Sequence, residues 1–527
     1  RSFFIPSTLS TVTFNGSVTE LAPYAFYGAT GLTAVEGLGE LTSIGDGAFA
    51  YTGISSYEIP ATVRSFGARV FEGCDIAAYA VEEGNDFYRT YDGCLYSTVG
   101  SLIAVPVGKE AISFPDDMTV RSIGRYAFYG SAIETLVVPE SVTSIGFAAF
   151  ARMSALTSLV TPVIGDGGDN AYMGYVFGSY MSIDTPSTGG YSSLIVSTTG
   201  NLPRNLTTLT VTGTYTEIPD MAFARLENVT SITVGAGENI TSFGAFSYYF
   251  TSVTQQSFAG TVSVGESAFR GTDLTSVDLS VANITDGAGL ACFAELGSLA
   301  YIDLGSTLTA IPNAMFYNGA ASEYSDEDGY SYSVRRSAVD QTITIPATVA
   351  SIGSEAFSGV GVAELWEPAS PEQQPDAYLH GTRNENFAIV FAEGCAVTEI
   401  RFSAFAFSGI TSMAIPSTVT TLGQTAFETC IFLESVTFGT EEDGSALTRV
   451  DALAFENCTA LASVTLWCGQ VPAMALSSDA TIFEGANEDV IVYVRAALVD
   501  AFRAAEGWSA LGENIRAAGT QTAGGNQ

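Results

Sequence analysis

The chain has 527 residues, of which 47% are hydrophobic and only 14% charged, a composition that excludes a disordered chain. Its 56 acidic residues against 19 basic ones give a formal charge of -37, which repels phosphate and makes nucleic acid and anionic membrane poor partners, so no nucleic acid is expected. Gly, Ser and Thr interrupt every apolar run before it reaches about 18 residues, so no membrane insertion is expected.

The first residue is Arg1, with no basic-then-apolar leader after it, which reads as a processed mature start or a segment cut from something longer. From there a small residue followed by Phe recurs. It marks Phe26, Phe49 and Phe71, then Phe128 and Phe150, then Phe223, Phe246, Phe269, Phe293 and Phe316, and finally Phe357, Phe405, Phe427 and Phe455. Uninterrupted steps are 22 to 24 residues. Written out, the unit reads ISSYEIPATVRSFGARVFEGC at 54–74, IETLVVPESVTSIGFAAFARM at 133–153 and ITSMAIPSTVTTLGQTAFETC at 410–430. A short apolar alternation predicts a strand, a Pro ends it, and a second apolar triplet leads to the Phe anchor. One such unit cannot bury its own apolar ladder, so it stacks on its neighbours as a repeat solenoid.

Ile-Pro, Ile-Gly and Ala-Phe recurring in fixed order over most of positions 9–465 resemble the BspA-like leucine-rich repeats. The resemblance implies a right-handed leucine-rich-repeat solenoid with one short strand per coil of about 23 residues, on secreted or surface-anchored proteins whose commonest role is adhesion. FYRTYDGCLYSTVGSLIAV at 87–105 looks like the hairpin insertion common in that family, and DVIVYVRAALVDAFRAAEGWSALGENI at 489–515 like its closing strand-plus-helix cap, with Arg495 where the family places Pro. The expected division is a solenoid over 1–465, a cap over 466–517 and a flexible tail over 518–527. Insertions interrupt the solenoid near 74–120, 160–203, 317–341 and 361–390. About fifteen coils at the strand spacing of 4.7 to 4.9 Å predict a length of roughly 70 Å.

Catalytic chemistry has little to work with. His380 is the sole histidine and reads as an exposed loop residue, Lys109 is the sole lysine, and no two cysteines form a C-x-x-C pair for zinc. A glycoside hydrolase needs only two carboxylates, but nothing marks a pair among the 56 acids, and no catalytic residue is assigned. The seven cysteines, Cys74, Cys94, Cys292, Cys395, Cys430, Cys458 and Cys468, are too sparse for a disulfide framework, although Cys458 and Cys468 are near enough to be a candidate pair. Acidic loops at Asp166 and Asp169, at Asp326 and Asp328, and at Glu441 and Asp443 offer oxygen ligands suited to Ca2+, against the plainer reading of solvated loops. N-x-[ST] sequons at Asn15, Asn205, Asn228, Asn239, Asn283 and Asn457 are glycan sites only in a eukaryotic secretory setting.

The outward strand positions align into two columns of hydroxyls and acids, with Glu58, Ser276, Asp278, Tyr301 and Asp303 as the candidate binding face. Aromatic rings are nearly absent from these columns, which disfavours carbohydrate there. A competing site is the aromatic-bearing insertions around Tyr324, Tyr330, Tyr332 and Trp366. The expected function is an extracellular or cell-surface recognition and adhesion module without catalysis, binding a protein on a cell surface or matrix. The alternative is a self-associating structural subunit of a surface filament or coat.

Overall fold

The computed structural model describes residues 8–186, 191–198, 202–235, 240–319, 322–325, 331–368, 379–475 and 481–519. Asn239, Asp326, Asp328, Tyr330 and the tail beyond 519 lie outside them. The chain forms two compact units, residues 1–238 with 250–252, and residues 239–249 with 253–527.

Each coil has three sides. On the first, strand Ser412–Ile415 runs parallel to Ser435–Phe438, Ser463–Leu466, Ile491–Val494 and Ile515–Ala517. The strand forms because Met413 and Ile415 alternate with Ser412 and Ala414, so one edge is buried and the other exposed. Pro416 ends it, and the chain turns back through a bond from Val419 N to the Pro416 carbonyl, 3.2 Å. The second side carries strands the expectation of one per coil omits: Ser351–Ile352, Glu399–Ile400, Thr421–Leu422, Arg449–Asp451 and Ala473–Ala475 form a second parallel ladder. In the first unit the equivalent pairings are Thr135–Val137, Ser158–Thr161, Thr208–Val211 and Ser231–Val234 on one side, and Glu20–Leu21, Ser43–Ile44 and Ser65–Phe66 on the other.

The third side is the Phe turn. Thr425 and Thr429, two residues either side of Phe427, have φ of 53° and 57°, as do the equivalent residues of most coils. A non-glycine residue in this region costs about 1 to 2 kcal/mol. The alternation points every second N–H toward the next coil, so Thr425, Phe427 and Thr429 donate to the carbonyls of Ala452, Ala454 and Glu456 at 3.3, 2.9 and 2.7 Å, which offsets the strain.

Inside the turn the rings stack. From Phe269 through Phe293, Phe316, Phe357, Phe405, Phe427 and Phe455 to Phe483, centroids are 5.3 to 5.9 Å apart and planes within 17°. Phe483 extends this ladder past residue 465. One anchor is corrected: Tyr248, not Phe246, stacks on Phe269 at 5.0 Å, and its N–H donates to Ala268 as an anchor's does. Phe246 sits two residues earlier with φ 56°. Phe246 and Tyr248 are both buried, so hydrophobicity does not separate them.

All seven cysteines are buried and unbonded, so Cys458 and Cys468 are not a disulfide. The recurrence three residues after Phe has a specific cause: the thiols of Cys74, Cys430 and Cys458 donate to the carbonyls of Phe49, Phe405 and Phe427, each in the preceding coil, at 3.0 to 3.1 Å.

The described parts of the insertions form strands and a short helix. Within 74–120 four strands form: Ala80–Val81 pairs with Glu58–Ile59, Tyr88–Tyr91 and Cys94–Ser97 make a hairpin, and Ser101–Ala104 rejoins the parallel ladder at Ser122–Ile123. Residues 160–203 hold a short helix, Met173–Val176, and a hairpin of Ser179–Asp184 with Ser193–Thr198. The segments 317–341 and 361–390 combine: Ser322–Ser325, Ser331–Arg335, Val362–Pro368 and His380–Arg383 form one antiparallel sheet. His380 is therefore a half-buried strand residue stacked on Trp366 at 5.8 Å, not an exposed loop residue. At the C-terminal end Arg495 adopts a proline-like φ of -55°, and its guanidinium donates to the carbonyls of Trp467 and Glu441 at 3.2 and 3.0 Å. Trp508 is buried below the helix Val499–Ala504 and donates to Pro472.

Candidate recognition face

Four of the five candidate strand-face residues lie together in the second unit, where Ser276 pairs in register with Tyr301 and Asp278 with Asp303. Glu58 belongs to the first unit, exposed on a strand paired with Ala80–Val81. Two carboxylates opposite one another on neighbouring strands repel. Each is turned to its own chain: Asp278 accepts from Ser280 N at 2.9 Å and Asp303 from Gly305 N at 2.8 Å. Hydrogen bonds from Ser280 hold the Asp278 carboxyl below its ordinary range. Part of the acidity of this face thus serves local turns, as Asp commonly does. Tyr301, 44% exposed, reaches Asp303 through its hydroxyl at 3.5 Å, and its phenol is raised first by desolvation and then by the charges of Asp303 and Asp278.

Immediately beyond Tyr301–Asp303 the first ladder opens. The next strand, Thr342–Ile345, pairs with Ala388–Phe391 and shares no backbone hydrogen bond with Tyr301–Asp303. The coils stay joined on the second side, where Ala350 N donates to Thr309 and Gly353 N to Ile311, both at 2.8 Å. The split follows from the insertion at 317–341, which returns the chain to the strand side through Gln341, whose amide donates to Ile302 O at 2.5 Å in place of ladder bonds. The result is a cleft of about 580 Å³ lined by Tyr301, Asp303, Gln341, Thr344 and Thr348. Gln341, Thr344 and Thr348 are absent from the sequence-derived face. The alternation in TITIPATV at 342–349 marks the strand, but nothing local to it marks the break in pairing.

The model of the BspA type leucine-rich repeat region matches residues 1–84, 109–173, 201–322 and 332–462, in six copies, well over half of the chain. The chain belongs to the BspA-type leucine-rich repeat family. Among solved structures it is similar to a leucine-rich repeat protein from Bacteroides ovatus, at 15% identity over 91% of this chain and 94% of that one, with a TM-score of 0.38. It is similar also to a leucine-rich cell surface protein from Faecalibacterium prausnitzii, at 17% identity over 90% and 93%, TM-score 0.25. The pneumococcal vaccine antigen PcpA shares 16% identity over 66% of this chain and 63% of that one, TM-score 0.27. No protein of curated function matches.

Other candidate residues of this BspA-type chain fall apart from the cleft. Asp166 accepts from Gly168 N, Asn170 N and Asn170 Nδ2 at 2.7 to 3.0 Å, so its carboxylate closes its own loop, and Asp169 is part of that loop. Asp443 accepts from Thr440 at 3.0 Å, and Glu441 lends its backbone carbonyl to Arg495. Among the described residues no three His, Cys, Asp or Glu side chains converge on a point where a metal ion could sit. Among the sequons Asn15, Asn228 and Asn283 are exposed, Asn205 donates to Ser154 O, and Asn457 is half-buried in the Phe turn with φ 55°. Of the competing aromatic residues Tyr332 is buried against Trp366, and Tyr324 lies on the strand Ser322–Ser325. No described helix is long and apolar enough to cross a membrane.

Proposed function

We propose that the chain is a non-catalytic, extracellular or cell-surface recognition module whose strand face in the second unit binds a protein partner. The observation that carries this reading is the cleft between Tyr301–Asp303 and Thr342–Ile345: it combines a half-exposed ring, a carboxylate, an amide and hydroxyls beside strand edges that share no ladder bonds. Unpaired strand edges are where extended segments of partner proteins add to a sheet, with side-chain pockets giving selectivity. Asp278 and Asp303 favour a partner with a basic, hydrogen-bonding surface, whose association rate falls as salt rises.

The experiment is to capture a partner from cell-surface extract and compare two variants against it by surface plasmon resonance: Asp278→Ala with Asp303→Ala, and deletion of 320–338. Lost binding in the first alone supports the strand face. Loss in the second alone refutes it.

A further inference from the structure

The Phe turn of the first unit bears a surface unlike the strand face. Its outward positions, immediately beside the anchors, carry rings. Tyr24 and Tyr27 meet edge to face at 5.8 Å, and Tyr27 meets Tyr51 of the next coil at 5.3 Å. Tyr24 and Tyr27 are each 51% exposed and Tyr51 37%. Further along, Arg69 lies over the Tyr126 ring at 4.5 Å, Tyr126 meets Phe147 at 6.0 Å, and Phe147 stacks on the exposed Tyr180 at 4.5 Å.

Two glycines show that the rings are seated rather than merely left exposed. A Cβ on Gly47 would stand 2.7 Å from the Tyr24 ring, and one on Gly73 would stand 2.5 Å from the Tyr51 ring. Each ring therefore occupies the space a side chain of the following coil would fill and is pressed against backbone on one side. The Tyr51 hydroxyl is fixed further by donating to Glu72 at 2.7 Å.

The charges on this turn are largely neutralised within it. Arg69 pairs with Glu72 at 3.3 Å and Arg125 with Asp46 at 2.9 Å, while Arg152 lies over Tyr129 at 5.5 Å. These pairs still present guanidinium donors and carboxylate acceptors beside the rings. In a chain of net charge -37 an anionic ligand is repelled and a cationic one has more acidic surfaces to choose from. A neutral, polyhydroxylated ligand with apolar ring faces meets neither objection. It stacks on the tyrosines and exchanges hydrogen bonds with the paired charges. The contacts from Tyr24 through Tyr27 to Tyr51, and from Arg69 through Tyr126 and Phe147 to Tyr180, run over successive coils as an extended strip, which fits a linear polymer better than a single small molecule.

We propose that the Phe-turn face of the first unit, centred on Tyr24, Tyr27 and Tyr51, binds a neutral linear polysaccharide. The strip is separate from the strand-face residues Asp278 and Asp303, so it succeeds or fails independently of protein recognition there.

The test is native affinity electrophoresis with xyloglucan, galactomannan, dextran and polygalacturonate in the gel, followed by calorimetry on whichever retards the intact chain. Retardation by at least one of the three neutral polymers is expected. Tyr24→Ala, Tyr27→Ala and Tyr51→Ala combined should weaken that binding about tenfold or more in a chain whose circular dichroism shows it still folded at the assay temperature, while the corresponding triple Phe variant, which retains the rings, keeps it. Asp278→Ala with Asp303→Ala should bind the polysaccharide normally. No retardation by any neutral polymer, retardation by polygalacturonate alone, or undiminished binding by the triple Ala variant overturns the proposal.

Discussion

In the first unit the residue just past the Phe anchor changes from coil to coil, being Tyr27, Ala50, Glu72, Tyr129, Ala151 and Ala224, and the single acid among them, Glu72, is tied to Tyr51 and Arg69. In the second unit the same position holds Glu428, Glu456 and Glu484 in successive coils. The backbones are alike, with left-handed residues such as Arg69 and Thr425 two before the anchor. What differs is solvation and partners: burial pushes the Glu428 carboxyl up to about 7, and the charges of Glu456 and Glu367 add to it while Arg335 opposes it. Burial likewise raises Glu456, with Glu484 adding. The repeat thus dictates what faces the ring ladder and leaves the outward side free to become a paired, ring-bearing strip or a stack of like charges.

The largest effect is expected where the two units agree. Phe427→Ala removes a fully buried ring with a stacked neighbour on each side and should cost about 3 to 5 kcal/mol in denaturant unfolding. Phe483, with a stacked ring on one side only among the described contacts, should cost less when truncated. Phe483 is also less buried than Phe427, so equal costs would mean that neither the second stacked ring nor the deeper burial matters.

Where the units differ, the sign should change. The Glu428 carboxyl titrates higher in the folded chain than unfolded, so the folded state holds the proton as pH rises from about 4.5 to 7 while the unfolded state releases it, and stability falls through that window. Glu428→Gln should therefore raise Tm at pH 8 and leave it nearly unchanged at pH 4. Glu72→Gln breaks an ion pair and weakens the acceptor of the Tyr51 hydroxyl, so it should lower stability at pH 8, by at most about 1 kcal/mol for a surface pair. Thermal scans of both variants at the two pH values check this, and a shared sign would erase the distinction between the units.

The smallest effect is a null one common to both units. Because all seven cysteines are buried and unbonded, and burial drives the thiols of Cys94 and Cys430 up to about 12, none should react with a disulfide reagent at pH 8 in the native chain, while seven should react in guanidinium.

Much of the architecture was legible because the apolar period is local. Strand, Pro and Phe recur within one coil, and the register that pairs Ser412 with Ser435 and Ser463 follows from aligning them. The anchor at 248 was not legible, since Phe246 and Tyr248 are equally buried and only the hydrogen-bond pattern tells them apart. Nor was the joint sheet of the two insertions, where Val334 meets Trp366 across 32 residues, because antiparallel pairing at that distance leaves no local signature. The cleft inherits this difficulty: Tyr301 and Asp303 were found from the strand pattern, but Gln341 enters only because an insertion breaks the ladder. The tyrosine strip has no signature in the strand alternation, for it lies on a turn whose outward residues are set by alternating backbone handedness rather than by apolar alternation.

Recognition through the strand face is tested most directly by hydrogen–deuterium exchange of the intact chain with and without its captured partner. Protection should rise over 301–306 and 341–348, the two walls of the cleft. Protection confined to the insertion sheet of Ser331–Arg335 and Val362–Pro368, with the cleft walls unchanged, would contradict it.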